Sequence, residues 1–247
     1  MQISVLLPAY NEGENLKNLI PQIKQELEEE NINYEILIVD SMNKIDGTEE
    51  IAKENNVKYY HRENGDNYGD AIRTGILKAQ NEYLLVMDAD GSHSPKELKK
   101  LIKDCPNYDI IIGSRYVKNG KTENNIMLIF MSWMVNIAYR VCLKIKVKDI
   151  SNSLRIYKTE DLKKLDLESN NFDIVEEILI KLCLFNKNYK IKEVPITFEK
   201  RKQGKSKRKL GKFILSYIKT MQKLIKIRRK TLKQAKENNK WKIARRF

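Results

Sequence analysis

The sequence predicts an α/β fold: a doubly wound, mostly parallel sheet flanked by helices, followed by a basic amphipathic helix. Two observations predict it. Short β-rich apolar runs alternate with segments of helical spacing through the first half of the chain. The charge is also unevenly divided: residues 199–247 carry 20 Lys/Arg against 2 Asp/Glu, and residues 1–198 carry 27 against 31. A slightly acidic body therefore bears a strongly basic arm, and the whole 247-residue chain has a net charge of +14.

In chain order, Ile3–Leu7 is the first apolar run, Asn15–Glu30 has helical spacing, and EILIV at Glu35–Val39 is the second strand. Glu49–Asn55 reads as helix and Val57–His61 as strand. Gly69–Ala79 reads as helix, YLLVM at Tyr83–Met87 as strand, and Ser94–Lys103 as a helix with Pro95 in its first turn. Asp109–Ile112 is a further strand. A sheet of this kind binds ligands beyond the C-terminal ends of its strands. Three polar clusters fall there: Tyr10-Asn11-Glu12, Asp40, and Asp88-Ala89-Asp90.

With 41% hydrophobic residues the chain can bury a core, and 32% charged residues do not make it disordered. Cys105, Cys142 and Cys183 lack the close spacing of a disulfide framework or a zinc site and suit a reducing compartment. His61 and His93 are too few for a His-rich metal site. The opening MQISVLLPAYNE has neither a basic n-region nor a small-residue cleavage site, so no signal peptide is expected. IMLIFMSWMVNIAY at Ile126–Tyr139, bounded by Arg140 and Lys144, fits a buried or interfacial helix better than a membrane span.

In the basic arm, Ile214, Tyr217, Ile218, Met221, Leu224 and Ile225 recur at spacings of three and four, with Lys219, Lys223 and Lys226 off that stripe. Such a helix can lie on an anionic membrane surface or pack on the body with its basic back in solvent. No helix-turn-helix pattern accompanies it, so no specific nucleic-acid partner is expected. The expected division is 1–210 for the α/β domain and 211–247 for the basic helix and tail, with membrane-surface association as its role.

Asp88 and Asp90, two residues apart on a turn, can both reach one hard cation such as Mg²⁺ or Mn²⁺ through oxygen ligands. A cation held this way can also bind and neutralise a substrate diphosphate. The competing reading is that the two carboxylates cap the helix near Ser94. GDNYGDAIRTG at Gly65–Gly75 offers Gly69 for a close backbone approach to a nucleotide, with Asp70 or Arg73 nearby, or a plain loop running into a helix. It is not a dinucleotide fingerprint.

Six ordered blocks resemble glycosyltransferase family 2, its polyprenyl-phosphate (dolichyl-phosphate mannosyltransferase-like) branch in particular. They are LLPAYNE (Leu6–Glu12), IVD with DGT (Ile38–Asp40, Asp46–Thr48), MDADGSHSP (Met87–Pro95), IIGSRYV (Ile111–Val117), VKDISNSLRIY (Val147–Tyr157) and EVPITFEKRKQGKSK (Glu193–Lys207). The resemblance implies a GT-A fold and an inverting transfer of a sugar from a GDP- or UDP-linked donor to polyprenyl or dolichyl phosphate. It places Pro8, Tyr10, Glu12 and Asp40 on the nucleoside, and Asp88 and Asp90 on the metal and diphosphate. Arg115 would face the phosphates near the reaction centre, with Asp90 and Arg115 as the catalytic pair. Ser132, Arg201, Lys205 and Ser206 would serve the acceptor side. The enzyme would act peripherally at the cytosolic face of a membrane, and a separate membrane-anchoring subunit is a natural partner. A phosphate acceptor is already an anion and needs alignment and charge neutralisation more than a general base.

The chain departs from the family pattern at named positions. Ser41 replaces the second Asp of V-D-D, and Ser92 stands where many members place a metal-ligating Gln, leaving Ser92 as a candidate ligand. The Trp and Arg expected near Asn125 and Leu128 are missing, and Asn152-Ser153 replaces S-G. Glu177 would support the acceptor loop, and His93 would support the D-x-D turn. Two alternatives stay open: a UDP-sugar-dependent enzyme with another lipid or saccharide acceptor, and a non-catalytic membrane- or nucleic-acid-binding relative.

Overall fold

The computed structural model describes residues 1–124, 126–186, 188–199 and 218–234. In chain order the elements are β1 (Gln2–Pro8), α1 (Gly13–Glu29), β2 (Asn33–Asp40), α2 (Thr48–Glu54), β3 (Lys58–His61), α3 (Tyr68–Lys78) and β4 (Tyr83–Val86). They continue with α4 (Leu98–Ile102), β5 (Ile110–Ser114), β6 (Lys121–Thr122), α5 (Ile126–Leu143), β7 (Arg155–Lys158), α6 (Thr159–Lys163) and α7 (Asp173–Phe185). β8 (Ile191–Pro195), β9 (Thr197–Phe198) and a helix α8 over 218–234 follow.

Seven strands form one sheet in the order β3-β2-β1-β4-β7-β5-β8, and β6 pairs with β9 in a second, two-stranded sheet. Every pairing in the large sheet is parallel except those of β7, which runs antiparallel to both β4 and β5. The apolar runs of β1 and β2, broken in β1 only by the buried Ser4, follow from burial on both faces. Ile3, Val5 and Leu7 alternate with Leu6, and Ile36 and Ile38 with Leu37 and Val39, between two core layers. One layer takes Leu16, Ile20, Ile23 and Leu27 of α1 with Leu98 and Leu101 of α4. The other takes Ile72 and Ile76 of α3, Ile174 and Ile178 of α7, and Tyr139 and Leu143 of α5.

The Ser94–Lys103 segment is not one helix. Pro95–Glu97 forms a tight 3₁₀ turn, closed by Glu97 N–H donating to the Ser94 carbonyl at 3.0 Å, before α4 begins.

α5 is longer than expected, since Arg140 does not stop it, and it is not buried. Only Asn136, Tyr139 and Leu143 are buried, whereas Ile126 is 85% and Val141 70% exposed, and Phe130 and Trp133 are also exposed. This 18-residue helix has a mean hydropathy of 1.7, enough by length and composition alone to cross a membrane.

The stripe expected to face a membrane on the basic arm is partly committed to the body. Leu224 is fully buried in the second core layer, Ile227 joins it, and Met221 and Ile225 pack against it. Lys223 pairs with Asp173 at 2.8 Å and Lys230 with Glu168 at 2.6 Å. Ile214 and Tyr217, and the boundary at 210, lie outside the described residues.

Candidate active site

β1 and β4 are neighbours and parallel, so the segments leaving their C-terminal ends lie side by side. There a cavity of about 490 Å³ opens. From β1 it is lined by Pro8, Ala9, Tyr10 and Glu12, and from β4 by Asp88, Ala89 and Asp90. The loop into α3 adds Arg62, Asp66, Asn67 and Tyr68, and the loop before α7 adds Asn171 and Phe172. Tyr10 is turned outward, 53% exposed, by a reversal in which Asn11 takes a left-handed φ of 59°. Asn tolerates that conformation better than most residues with a Cβ. Glu12 accepts a hydrogen bond from Asn15 Nδ2 at 2.6 Å at the start of α1.

The D-x-D turn is held from several sides. Gly91 takes φ 76°, and Ser92 N–H donates to Asp90 Oδ1 at 3.0 Å. Asp88 Oδ1 accepts from the Tyr68 hydroxyl at 3.1 Å, and Oδ2 from the Ser153 hydroxyl at 2.6 Å. Burial and the neighbouring Asp88 push the Tyr68 hydroxyl well above its ordinary pKa. His93 is buried against the edge of Phe198, with Nε2 2.9 Å from Asn152 Oδ1 and Nδ1 accepting from Asp88 N–H at 3.4 Å. It supports the turn and does not line the cavity, as expected.

Two carboxylates fit a hard divalent cation that also takes oxygens from a diphosphate and from water. Among the described residues no group of three or more His, Cys, Asp or Glu could hold a metal alone. The donor set therefore suits a cation shared with substrate better than a closed protein cage. Ser92 is corrected as a side-chain ligand: it is 1% exposed, absent from the cavity wall, and its hydroxyl has no partner. It acts on Asp90 through its main chain.

Asp40 is also absent from the wall. It is 1% exposed, with Oδ1 accepting from Ser41 N–H at 2.8 Å and Oδ2 from the Tyr59 hydroxyl at 3.1 Å. Burial pushes its pKa up, against those two donors. In its place the structure brings in Arg62, which sequence reasoning missed. Arg62 is 6% exposed, donates to the Ala9 carbonyl at 2.6 Å and Asp66 at 3.1 Å, and lies 5.5 Å from the Tyr10 ring centroid. It stands just past the end of β3, so the strand-end rule that singled out Tyr10 also names it.

Gly69 does not approach the cavity. A Cβ there would stand 2.2 Å from the Ser169 carbonyl oxygen, and its N–H donates to the Asn170 carbonyl at 2.8 Å. Arg73 Nη1 donates to that Ser169 carbonyl at 2.6 Å, and Asp70, fully buried, accepts from Glu63 and Asn64 N–H. The Gly69 and Arg73 contacts fasten the 169–172 loop to the start of α3, and Tyr68 stacks on Phe172 with centroids 4.2 Å apart. Glu177 anchors the same loop, accepting from Glu168 and Ser169 N–H and pairing with Lys181 at 2.6 Å.

Arg115 lies outside the cavity wall at the end of β5. Its Nε and Nη2 donate to Asp149 at 2.8 and 2.7 Å, and it packs over Tyr116 and Phe198. Ser132, on α5, is half-buried close to Tyr116. Arg201, Lys205 and Ser206 lie outside the described residues.

The glycosyl transferase family 2 model matches residues 4–166. The chain is 37% identical over 235 residues to dolichol-phosphate mannosyltransferase of Pyrococcus furiosus, an alignment covering 92% of this chain and 64% of that relative. It is 31% identical to undecaprenyl-phosphate mannosyltransferase of Micrococcus luteus, over 84% of this chain and 87% of the relative. Against polyprenol monophosphomannose synthase of Mycolicibacterium smegmatis the identity is 33%, over 82% and 79%. Among solved structures, glucosyl-3-phosphoglycerate synthase of Mycobacterium tuberculosis, in complex with Mn²⁺, UDP and glucosyl-3-phosphoglycerate, superposes with a TM-score of 0.69 at 17% identity. That match covers 92% of this chain and 79% of the other. It establishes the shared GT-A-like fold.

Proposed function

Because the chain belongs to glycosyl transferase family 2, we propose that it transfers a sugar, mannose from GDP-mannose, onto a dolichyl or polyprenyl phosphate at the cytosolic face of a membrane. The observation that carries this reading is one cavity joining an outward Tyr10 and Glu12 to the Asp88–Asp90 pair. The names of the three curated relatives support the acceptor class.

In this reading Tyr10 offers an aromatic face to the base, and Pro8 and Glu12 border the nucleoside. Asp88 and Asp90 would hold Mg²⁺ or Mn²⁺, which would supply Lewis-acid neutralisation of the diphosphate. An oxygen of the acceptor phosphate bonds to the anomeric carbon from the face opposite the diphosphate. The bond to the diphosphate oxygen breaks with its electron pair, which inverts the anomeric centre. No proton has to be removed, because the phosphate is already ionised. Arg115, fixed by Asp149, and Ser132 are assigned to the acceptor side, with Arg201, Lys205 and Ser206 on the following segment. There cationic groups align two anions that otherwise repel. The exposed apolar face of α5, with Phe130 and Trp133, lies in the lipid interface and brings the site to its acceptor. The basic residues of 199–247 add attraction to anionic headgroups, and an anchoring subunit is compatible with this placement.

The test is mass spectrometry of lipid-linked sugar after incubation with polyprenyl phosphate and either GDP-mannose or UDP-glucose. Mannosyl phosphoryl lipid from GDP-mannose supports the reading. Transfer from UDP-glucose alone, or only to an acceptor with a free hydroxyl, overturns it.

A further inference from the structure

Asp88 is gripped by groups from distant parts of the chain. Ser153, 6% exposed, donates to Oδ2 at 2.6 Å, and Tyr68, at the start of α3, donates to Oδ1 at 3.1 Å. A carboxylate offers about four lone-pair positions, so one donor on each oxygen leaves one open on each. Two donors on opposite oxygens also fix the plane of the group. The main chain of Asp88 is held by His93, which is in turn oriented by the residue next to Ser153. Asp88 N–H donates to His93 Nδ1 at 3.4 Å, so the ring carries its proton on Nε2 and donates it to Asn152 Oδ1 at 2.9 Å. Asn152 Nδ2 then donates to the Gly113 carbonyl at 2.6 Å. Ser153 thus holds the side chain of Asp88 directly, and Asn152 acts on its backbone through His93.

We propose that Ser153 and Tyr68 are positioning residues that orient the Asp88 carboxylate for a divalent cation. The inference rests on the reading of Asp88 as a metal ligand. Its physical content is preorganisation. Among the described residues no third His, Cys, Asp or Glu joins Asp88 and Asp90 in a metal-holding group, and the Ser92 side chain stays buried away from the cavity. Affinity then depends on how little ordering Asp88 still has to undergo. Losing a hydrogen bond to a metal-ligating group lowers metal affinity by roughly 10–100-fold. A Gly at 153 could not supply that bond, whereas a Thr could.

The experiment measures Mn²⁺ affinity directly, from the free-Mn²⁺ signal in electron paramagnetic resonance, with the full chain and GDP. The proteins are wild type, Ser153→Ala, Ser153→Thr, Tyr68→Phe and Asp88→Asn, each with its thermal midpoint recorded. Ser153→Ala and Tyr68→Phe are expected to weaken Mn²⁺ binding about tenfold each at unchanged midpoint, with Ser153→Thr close to wild type. Wild-type affinity in Ser153→Ala, or a loss that Ser153→Thr shares, overturns the proposal. So does a fall in Mn²⁺ affinity that merely tracks a lowered midpoint. If wild type binds Mn²⁺ no better than Asp88→Asn, Asp88 is not the ligand, and the underlying reading falls together with this inference.

Discussion

Gly69→Ala is the substitution whose effect the structure specifies most closely. The new Cβ would stand 2.2 Å from the Ser169 carbonyl oxygen, 2.8 Å from Asn170 Cα and 2.9 Å from Asn170 C, where ordinary contact begins at 3.4 Å. The deficit at the oxygen is therefore about 1.2 Å, and all three neighbours are main chain, which cannot swing aside as a side-chain tip can. Overpacking of this kind costs roughly 1–3 kcal/mol. Moving the loop also strains the Gly69 N–H to Asn170 carbonyl bond of 2.8 Å, worth about 0.5–1.5 kcal/mol. Ala gains at most ~1 kcal/mol over Gly in helix propensity, so the net expectation is a loss of roughly 1–3 kcal/mol. Phe172 rides on the same loop and stacks on Tyr68, so nucleotide affinity should fall with stability. Urea unfolding and calorimetric titration with GDP-mannose measure the two. A variant as stable as wild type, with unchanged affinity, would refute the claim that this contact sets the cavity's far wall.

Three further outcomes are expected. Burial pushes the Glu176 carboxyl up to about 8, and its Oε2 has no partner. A carboxyl raised in the folded state favours folding below its unfolded pKa, and that contribution is lost as pH climbs to about 8. Glu176→Gln should therefore flatten the pH dependence and be more stable than wild type at pH 8 by a few kcal/mol, on the order of 1.4 per pKa unit; parallel wild-type and variant curves in urea unfolding across that range would count against it. Replacing Phe130 and Trp133 together by Ser should weaken sedimentation with anionic vesicles at least tenfold, since each large apolar side chain contributes about 1.5–3 kcal/mol on burial. Unchanged sedimentation would remove α5 from the lipid interface. Tyr10→Ala should weaken nucleotide binding about tenfold or more, as base–aromatic stacking is worth roughly 1–3 kcal/mol; an unchanged GDP titration would argue against the stack.

The parallel half of the sheet was legible because β1, β2 and β4 are apolar on both faces, and two-sided burial writes itself as a continuous run. β7 was not legible as a strand. Its first residue, Arg155, is fully buried and satisfied by the carbonyls of Ile150, Asn152 and Val175, so a core position reads as polar. The site divided in the same way. Tyr10, Glu12, Asp88 and Asp90 follow from strand ends, Pro8 from the family resemblance, and all five line the cavity. Asp40 follows from the same rule, yet Tyr59 and the Ser41 main chain turn it into the protein interior. Tyr68 and Phe172 meet only after folding, and no local pattern announces such a pair. The basic arm shows the limit of periodicity: a stripe specifies a face to be covered, and the burial of Leu224, beside an exposed Ile218, shows that the body covers part of it.

The central claim is that the cavity between β1 and β4 is a metal-dependent donor site. Calorimetric titration of GDP-mannose into wild type and Asp88→Asn, each with Mn²⁺ and with chelator, tests it most directly. The account predicts binding to wild type that Mn²⁺ strengthens, chelator reverses, and Asp88→Asn makes indifferent to the metal. Equal affinity in all four titrations, or binding that Asp88→Asn leaves fully metal-dependent, would contradict it.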